Sequence, residues 1–119
     1  MAAVKRFEEL IAWQKSQDLA VLIYDKFQKM KDFGFRDQIC KAAISISNNI
    51  AEGFERNSNK DFARFLNIAS GSCSETRSML YLAKKLNYIN DNDQNILLEK
   101  GNEVSKIISG LRKAINKWL

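Results

Sequence analysis

Glu52 and Glu75 are the carboxylates best placed for acid–base work, with Arg56, Arg64 and Arg77 as charge partners within reach along the chain. A carboxylate pair doing that work needs a cleft and a shifted pKa. The sequence displays neither. The plainer reading is a hydrogen-bonded network that ties helices together. Histidine is absent. The commonest general base and the commonest metal ligand are therefore missing. A Ser-His-Asp triad, a Cys-His pair and a Glu-x-x-His di-iron site are excluded from this chain alone. Catalysis would have to rest on Glu, Lys, Ser or Cys, so the expectation is a protein that is not an enzyme and holds no cofactor or metal. Cys40 and Cys73 lie far apart without Cys-x-x-Cys spacing. They read as reduced, partly buried thiols.

Basic side chains offer a different chemistry, the neutralisation of phosphates. Arg56, Lys60 and Arg64 form one cluster, the last two standing four apart on one helix face. Lys106, Arg112, Lys113 and Lys117 form a second, and from Val104 to Leu119 there are four basic residues and no acidic one. The net charge is +5 and the pI near 9.3. That balance permits binding to RNA or DNA without requiring it. Lysines near a helix C-terminus also favour the macrodipole with no partner at all. Aromatic and basic residues do not interleave as in single-strand binders, and no base-reading motif is present. Any binding is expected to be backbone-directed and weakly sequence-specific. The alternative is a protein–protein scaffold with no nucleic-acid role.

These residues need helices to carry them. The chain has 119 residues, 45% apolar and 28% charged, enough for a single domain over residues 1–119. Proline is absent, which suits long helices. The spacing of Leu10, Trp13, Ala20, Tyr24 and Phe27 predicts a first helix over about 6–30, with Gln17 interrupting its stripe. Gly34 is the expected turn residue. Ile39, Ala43, Ile46, Ile50 and Phe54 predict a second helix over about 35–55. Ile44-Ser45-Ile46-Ser47 alternates like a strand, but the longer helical period outweighs it. Ser58 or Asn59 can cap a third helix, with Asp61 in its first turn, running to about Leu86. Asn90 or Asp91 can cap a fourth, whose stripe is Leu97, Val104, Ile107, Ile108, Leu111, Ile115 and Trp118. Short connections make neighbours antiparallel. The predicted fold is all-α, an up-down-up-down four-helix bundle.

"MAAVKRFEELIAW" lacks the apolar core and cleavage site of a signal peptide, and the longest apolar run, Leu19 to Tyr24, is too short to span a bilayer. The expected location is cytoplasmic. Ala43, Ser47 and Ala51 stand four apart, as do Ser70, Ser74 and Ser78 beside Gly71. Such spacing predicts close packing of the second helix on the third; a polar seam or small-ligand groove is the sharper alternative. Asn48 and Asn49 are poor helix formers, so something outside local propensity must favour them. Ile11, Leu19, Leu22, Leu66, Ile68, Leu82 and Leu98 fall outside the single stripes, and a continuous apolar patch of that kind would mark an interface.

"FRDQICKAAISISNNIAEGFERNSNKDFARFL" and "IASGSCSETRSMLYLAKKLNYI", with "FEELIAWQKSQDLAVLIY" before them, resemble the small four-helix proteins encoded in intervening sequences of bacterial large-subunit ribosomal RNA genes. The accessory protein of diversity-generating retroelements is similar. The likeness runs from Phe7 to about Ile89, with a looser fourth helix. Its specific parts are Ser45 to Gly53 and Ala69 to Glu75. It implies a four-helix protomer assembled as a ring, typically a homopentamer. For the retroelement relative it implies binding to nucleic acid and to a reverse transcriptase. It implies no enzymatic activity. Two positions depart from the pattern. Cys40 and Lys41 stand where family members often have two arginines, which weakens phosphate binding at that point. Ser47 stands where proline is frequent, so the second helix is expected to be straighter here.

Overall fold

The computed structural model describes residues 4–117. A 3-10 turn, Phe7–Glu9, leads into α1 (Ile11–Phe27), α2 (Phe33–Phe54), α3 (Asn59–Lys85) and α4 (Asp91–Asn116). Each helix packs on its neighbours in the chain, and α1 closes the ring against α4; diagonal helices do not meet. The body is an antiparallel up-down-up-down bundle measuring 45 × 22 × 19 Å. Trp118, assigned above to the fourth helix's stripe, lies outside the described residues.

The first helix starts later and stops earlier than its apolar spacing predicts. Leu10 is extended, with ψ 124°, and separates the 3-10 turn from α1. The Gln14 side chain reaches back to donate to the Glu8 carbonyl at 2.8 Å, tying the turn down. Gly34 is not the turn. It lies inside α2, because Asp32 caps that helix by accepting from the Phe35 amide at 3.1 Å. A side-chain cap two residues upstream outweighs a glycine's preference for loops. The α3 and α4 caps are Ser58 and Asn90, accepting from Asp61 N–H at 3.1 Å and Asp93 N–H at 2.8 Å.

α3 ends on Asn87, the one non-glycine residue with positive φ (61°) among those described. Tyr88 N–H donates to the Ala83 carbonyl at 2.8 Å and Asn87 N–H to Lys84 at 3.0 Å, a Schellman end built on asparagine rather than glycine. This turn places the Tyr88 hydroxyl 2.7 Å from Asp32, so the turn after α3 clasps the start of α2.

The core runs the length of the bundle through Leu19, Ile23, Phe27, Ile39, Ile46, Ile50, Leu66, Leu80, Val104 and Ile108, all fully or almost fully buried. Leu19 and Leu66 therefore belong inside, against expectation, while Leu22 and Leu98 pack on the core's edge. Each helix of a four-helix ring touches two neighbours, so its buried face is wider than one row of residues. Ile11, Ile68 and Leu82 are exposed as expected.

The close approach of α2 to α3 depends on Gly53, not on the predicted serine row. A Cβ at Gly53 would sit 2.6 Å from the Phe65 Cβ. Ser74 and Ser78 are exposed and Ser70 is half-buried, so that row faces away from α2. Ser47 faces α1, where it accepts from the Gln17 amide at 2.9 Å. α2 runs unbroken through this residue.

Candidate nucleic-acid interface

The antiparallel topology puts the start of α1, the α2–α3 connection and the end of α4 at one end of the bundle. Both basic clusters therefore reach the same end. Residues 4–10, 52–64 and 106–117, which build it, carry nine Lys/Arg and five Asp/Glu. The opposite end, residues 25–37 and 84–93, carries six Lys/Arg and five Asp/Glu. Nearly all of the net +5 thus sits at one pole.

On α4 the helical period places Lys106, Lys113 and Lys117 within ~40° of one another. All three are exposed, and none forms an ion pair among the described residues. Arg112 stands apart from that stripe. It lies three turns beyond Gly101, which packs against Arg77 of α3, so Arg112 occupies the α3 side of α4. It is half-buried there, while Lys60 and Arg64 are exposed on α3. Two clusters separate in sequence thus share one end of the bundle, the α4 stripe on one helix and Arg64 on the side of α3 where Phe65 packs against Gly53 of α2.

The α2–α3 cluster is held more tightly. Arg56 pairs with Glu52 at 3.1 Å, and its guanidinium lies 4.8 Å from the Phe65 ring centroid. Arg64 lies 4.6 Å from the same centroid and 3.8 Å from Asp61. One buried aromatic ring thus positions two guanidiniums, leaving donors that face water. Glu52 and Asp61 compete with any phosphate for them. Lys60 has no such competitor among the described residues.

Beside this surface runs a groove of about 440 Å³. Leu10, Phe54, Phe62, Leu111 and Ile115 form its floor, and Arg56, Asn57, Ser58 and Asn59 its rim. Phe54 and Phe62 meet edge to face at 5.9 Å. The groove and the shared ring of Phe65 have no signature in the sequence. Both arise where separate elements converge.

The other candidate groups disperse. Glu52 lies at the basic end, whereas Glu75 lies on the flank of α3, accepting from Gln38 at 3.3 Å. Arg77 meets neither. Its stem rests against Gly101, and its buried Nε has no hydrogen-bond partner among the described residues. The asparagine pair resolves into a small polar knot. Asn49 donates to the Ser45 carbonyl at 2.7 Å and hydroxyl at 2.9 Å, and Ser72 of α3 donates to the same hydroxyl at 2.8 Å. Asn49 is thus engaged within α2 through Ser45, which carries the link to α3; Asn48 is exposed. Cys40 and Cys73 are free and buried. Burial raises both thiols, Cys73 to about 11, against a smaller opposing effect of Arg36 on Cys40 and of Arg77 on Cys73. Neither is poised as a nucleophile. No group of three metal-ligating side chains occurs among the described residues. No helix among them is long and apolar enough to cross a membrane.

The fold and this surface define a class: a small antiparallel four-helix protein with one basic pole. The chain belongs to the 23S rRNA-intervening sequence protein family, whose pattern matches residues 8–110. Among solved structures it is similar to a protein of unknown function from the S23 ribosomal protein family of Bacteroides thetaiotaomicron, with 28% sequence identity, a TM-score of 0.82, and coverage of 87% of this chain and 99% of that one. No curated protein matches the chain.

Proposed function

We propose that this protein binds RNA or DNA through its basic pole, as a non-enzymatic accessory component of a ribonucleoprotein. The observation that supports this reading is the gathering of both basic clusters at one end of the bundle, where nine Lys/Arg face five Asp/Glu. Neither cluster alone is unusual for a solvated surface. Together they offer Arg56, Lys60, Arg64, Lys106, Arg112, Lys113 and Lys117 to one stretch of phosphate backbone. The family's association with a ribosomal RNA gene is consistent with an RNA ligand.

The protomer works as a homo-oligomer in this reading. Val21, Ile44, Ile68 and Leu82 are exposed on the long sides of the bundle, Val21 at 66%. Val21, Ile44 and Leu82 stand away from the basic pole, while Ile68 lies one helical turn from Arg64, so copies joined through the first three keep the phosphate surface open. A partner protein could use the same sides. A second groove of about 560 Å³ between α1 and α2, lined by Tyr24, Cys40, Ile44 and Asn48 among others, favours that scaffold reading.

The test is fluorescence anisotropy with labelled RNA and DNA over a salt series, with oligomer mass measured on the same sample. Changing Lys60, Arg64, Lys113 and Lys117 together to Gln should weaken binding by 10-fold or more, roughly, and flatten the dependence of log K on log salt by up to ~3–4 units. Absence of binding at low salt by a folded protein rejects this function and leaves the scaffold.

A further inference from the structure

We propose that the groove at the basic pole receives one unpaired nucleobase, so that the protein prefers single-stranded nucleic acid to duplex. This rests on the nucleic-acid reading above and adds the class of ligand to it.

Asn57 and Asn59 have no side-chain hydrogen bond among the described residues. Each amide offers both donors and an acceptor, the set needed to pair with a base edge. The Arg56 guanidinium lies beside them, held by Glu52 and Phe65. The floor is apolar and partly aromatic, Phe54 and Phe62 included. Its volume, about 440 Å³, falls within the usual ~300–1,000 Å³ of small-molecule sites. A bundle end left uncovered would have the apolar floor. It would not also collect two unengaged amides and a guanidinium around the opening.

Charge complementarity selects the occupant. Leu111 lines the groove, and Arg112 follows it directly at the basic pole. Arg56 lines the groove itself and Lys60 follows Asn59 of its rim, so a strand whose phosphates meet these two cations passes the mouth of the groove. A single strand can turn one base inward there without breaking a pair. A duplex must first unstack and unpair that base, which costs binding energy. Apolar walls with polar rims are the usual means of holding splayed bases.

The experiment compares a single-stranded 12-nucleotide RNA with a hairpin duplex of matched phosphate number, at one salt concentration, for the wild type and an Asn57→Ala/Asn59→Ala variant. A second probe is the same strand carrying one 2-aminopurine, whose fluorescence reports transfer of the base to a new environment. The expected result is single-strand binding tighter by about tenfold or more, with a fluorescence change on binding. The double variant should lose most of that preference and keep the salt slope. Both substituted residues are exposed, so the fold should survive, and circular dichroism checks it. Equal affinity for the two ligands with no fluorescence change overturns the base site while leaving phosphate binding intact. No binding of either ligand removes the nucleic-acid reading and this inference with it.

Discussion

The two ends of the bundle are built on opposite plans. At the end formed by the α1–α2 and α3–α4 turns, side chains from both turns interlock. Phe27 packs on Phe35 at 5.8 Å, Phe35 meets Tyr88 edge to face at 5.3 Å, and Tyr88 bonds to Asp32. Charges there nearly balance, and Lys26–Asp93 and Lys84–Asp91 bridge the elements at 2.9 and 3.2 Å. At the other end the α2–α3 turn and the Phe7–Glu9 turn lie beside an open groove, and most of the cationic stripe has no partner among the described residues. Like charges held together weaken a fold. The contrast sets the interlocking contacts at the pole with balanced charge and the mutual repulsion at the other.

Removing the interlocked end's anchor should have the largest effect. Phe27 is fully buried, and Phe27→Ala should cost about 3–5 kcal/mol in denaturant unfolding. A loss below 1 kcal/mol would mean that this pole does not dominate stability. Next comes Gly53→Ala at the basic pole. Alanine ordinarily favours a helix over glycine by ~1 kcal/mol. Here its methyl would meet the Phe65 Cβ, which cannot swing aside because it is fixed to the α3 backbone. The expected net loss is about 1–3 kcal/mol. A neutral or stabilising result would show the α2–α3 crossing to be slack.

Ser58→Ala should cost about 1 kcal/mol, the usual effect of losing an N-cap. Hydrogen exchange should show fraying confined to the first turn of α3, with amides near Tyr88 unchanged. The smallest effect should come from Tyr88→Phe, read as a pH profile. The Tyr88 hydroxyl, followed by the Phe35 amide, holds Asp32 below its ordinary value, and the Asp32 bond holds Tyr88 above its own. A lowered carboxyl stabilises the fold above its unfolded pKa and loses that contribution as pH falls through the folded value. A raised phenol does so below its unfolded pKa and loses it as pH rises through the folded value. The difference between wild type and variant should therefore be flat through neutral pH and shrink at both extremes. A difference that varies between pH 6 and 8 would point to another group.

How much of this was visible in the sequence depended on distance along the chain. Ser58 and Asn90 were readable because a cap bonds to an amide three residues on. The fourth helix's apolar stripe was readable for the same reason of local period. Gly34 misled, since glycine permits a turn without requiring one, and Asp32 decided where α2 begins. Asn87 took the left-handed turn without the usual glycine to announce it. Leu19 and Leu66 appeared surplus because one stripe underestimates a face that serves two neighbours. The basic residues themselves were evident, but their meeting was not. Relating the α4 cluster to α3 requires knowing which side of α4 turns toward that helix. The placement of Arg112 supplies that, through a packing contact of Gly101 three turns away.

The concentration of positive charge at one tip gives the 45 Å body a direction. In the field of a polyanion it behaves as an electric dipole and feels a torque before contact, arriving tip first. The gain is in collision frequency and orientation more than in grip, and it fades once salt shortens the screening length to ~8 Å. Between two copies the same field acts with opposite sense. Tips repel, so the field favours flank-to-flank approach with the axes reversed over approach with the axes aligned. Aligned copies would gather their charged tips on one rim; reversed copies would divide them between two. An aligned arrangement would have to offset that repulsion through contacts on the nearly neutral flanks.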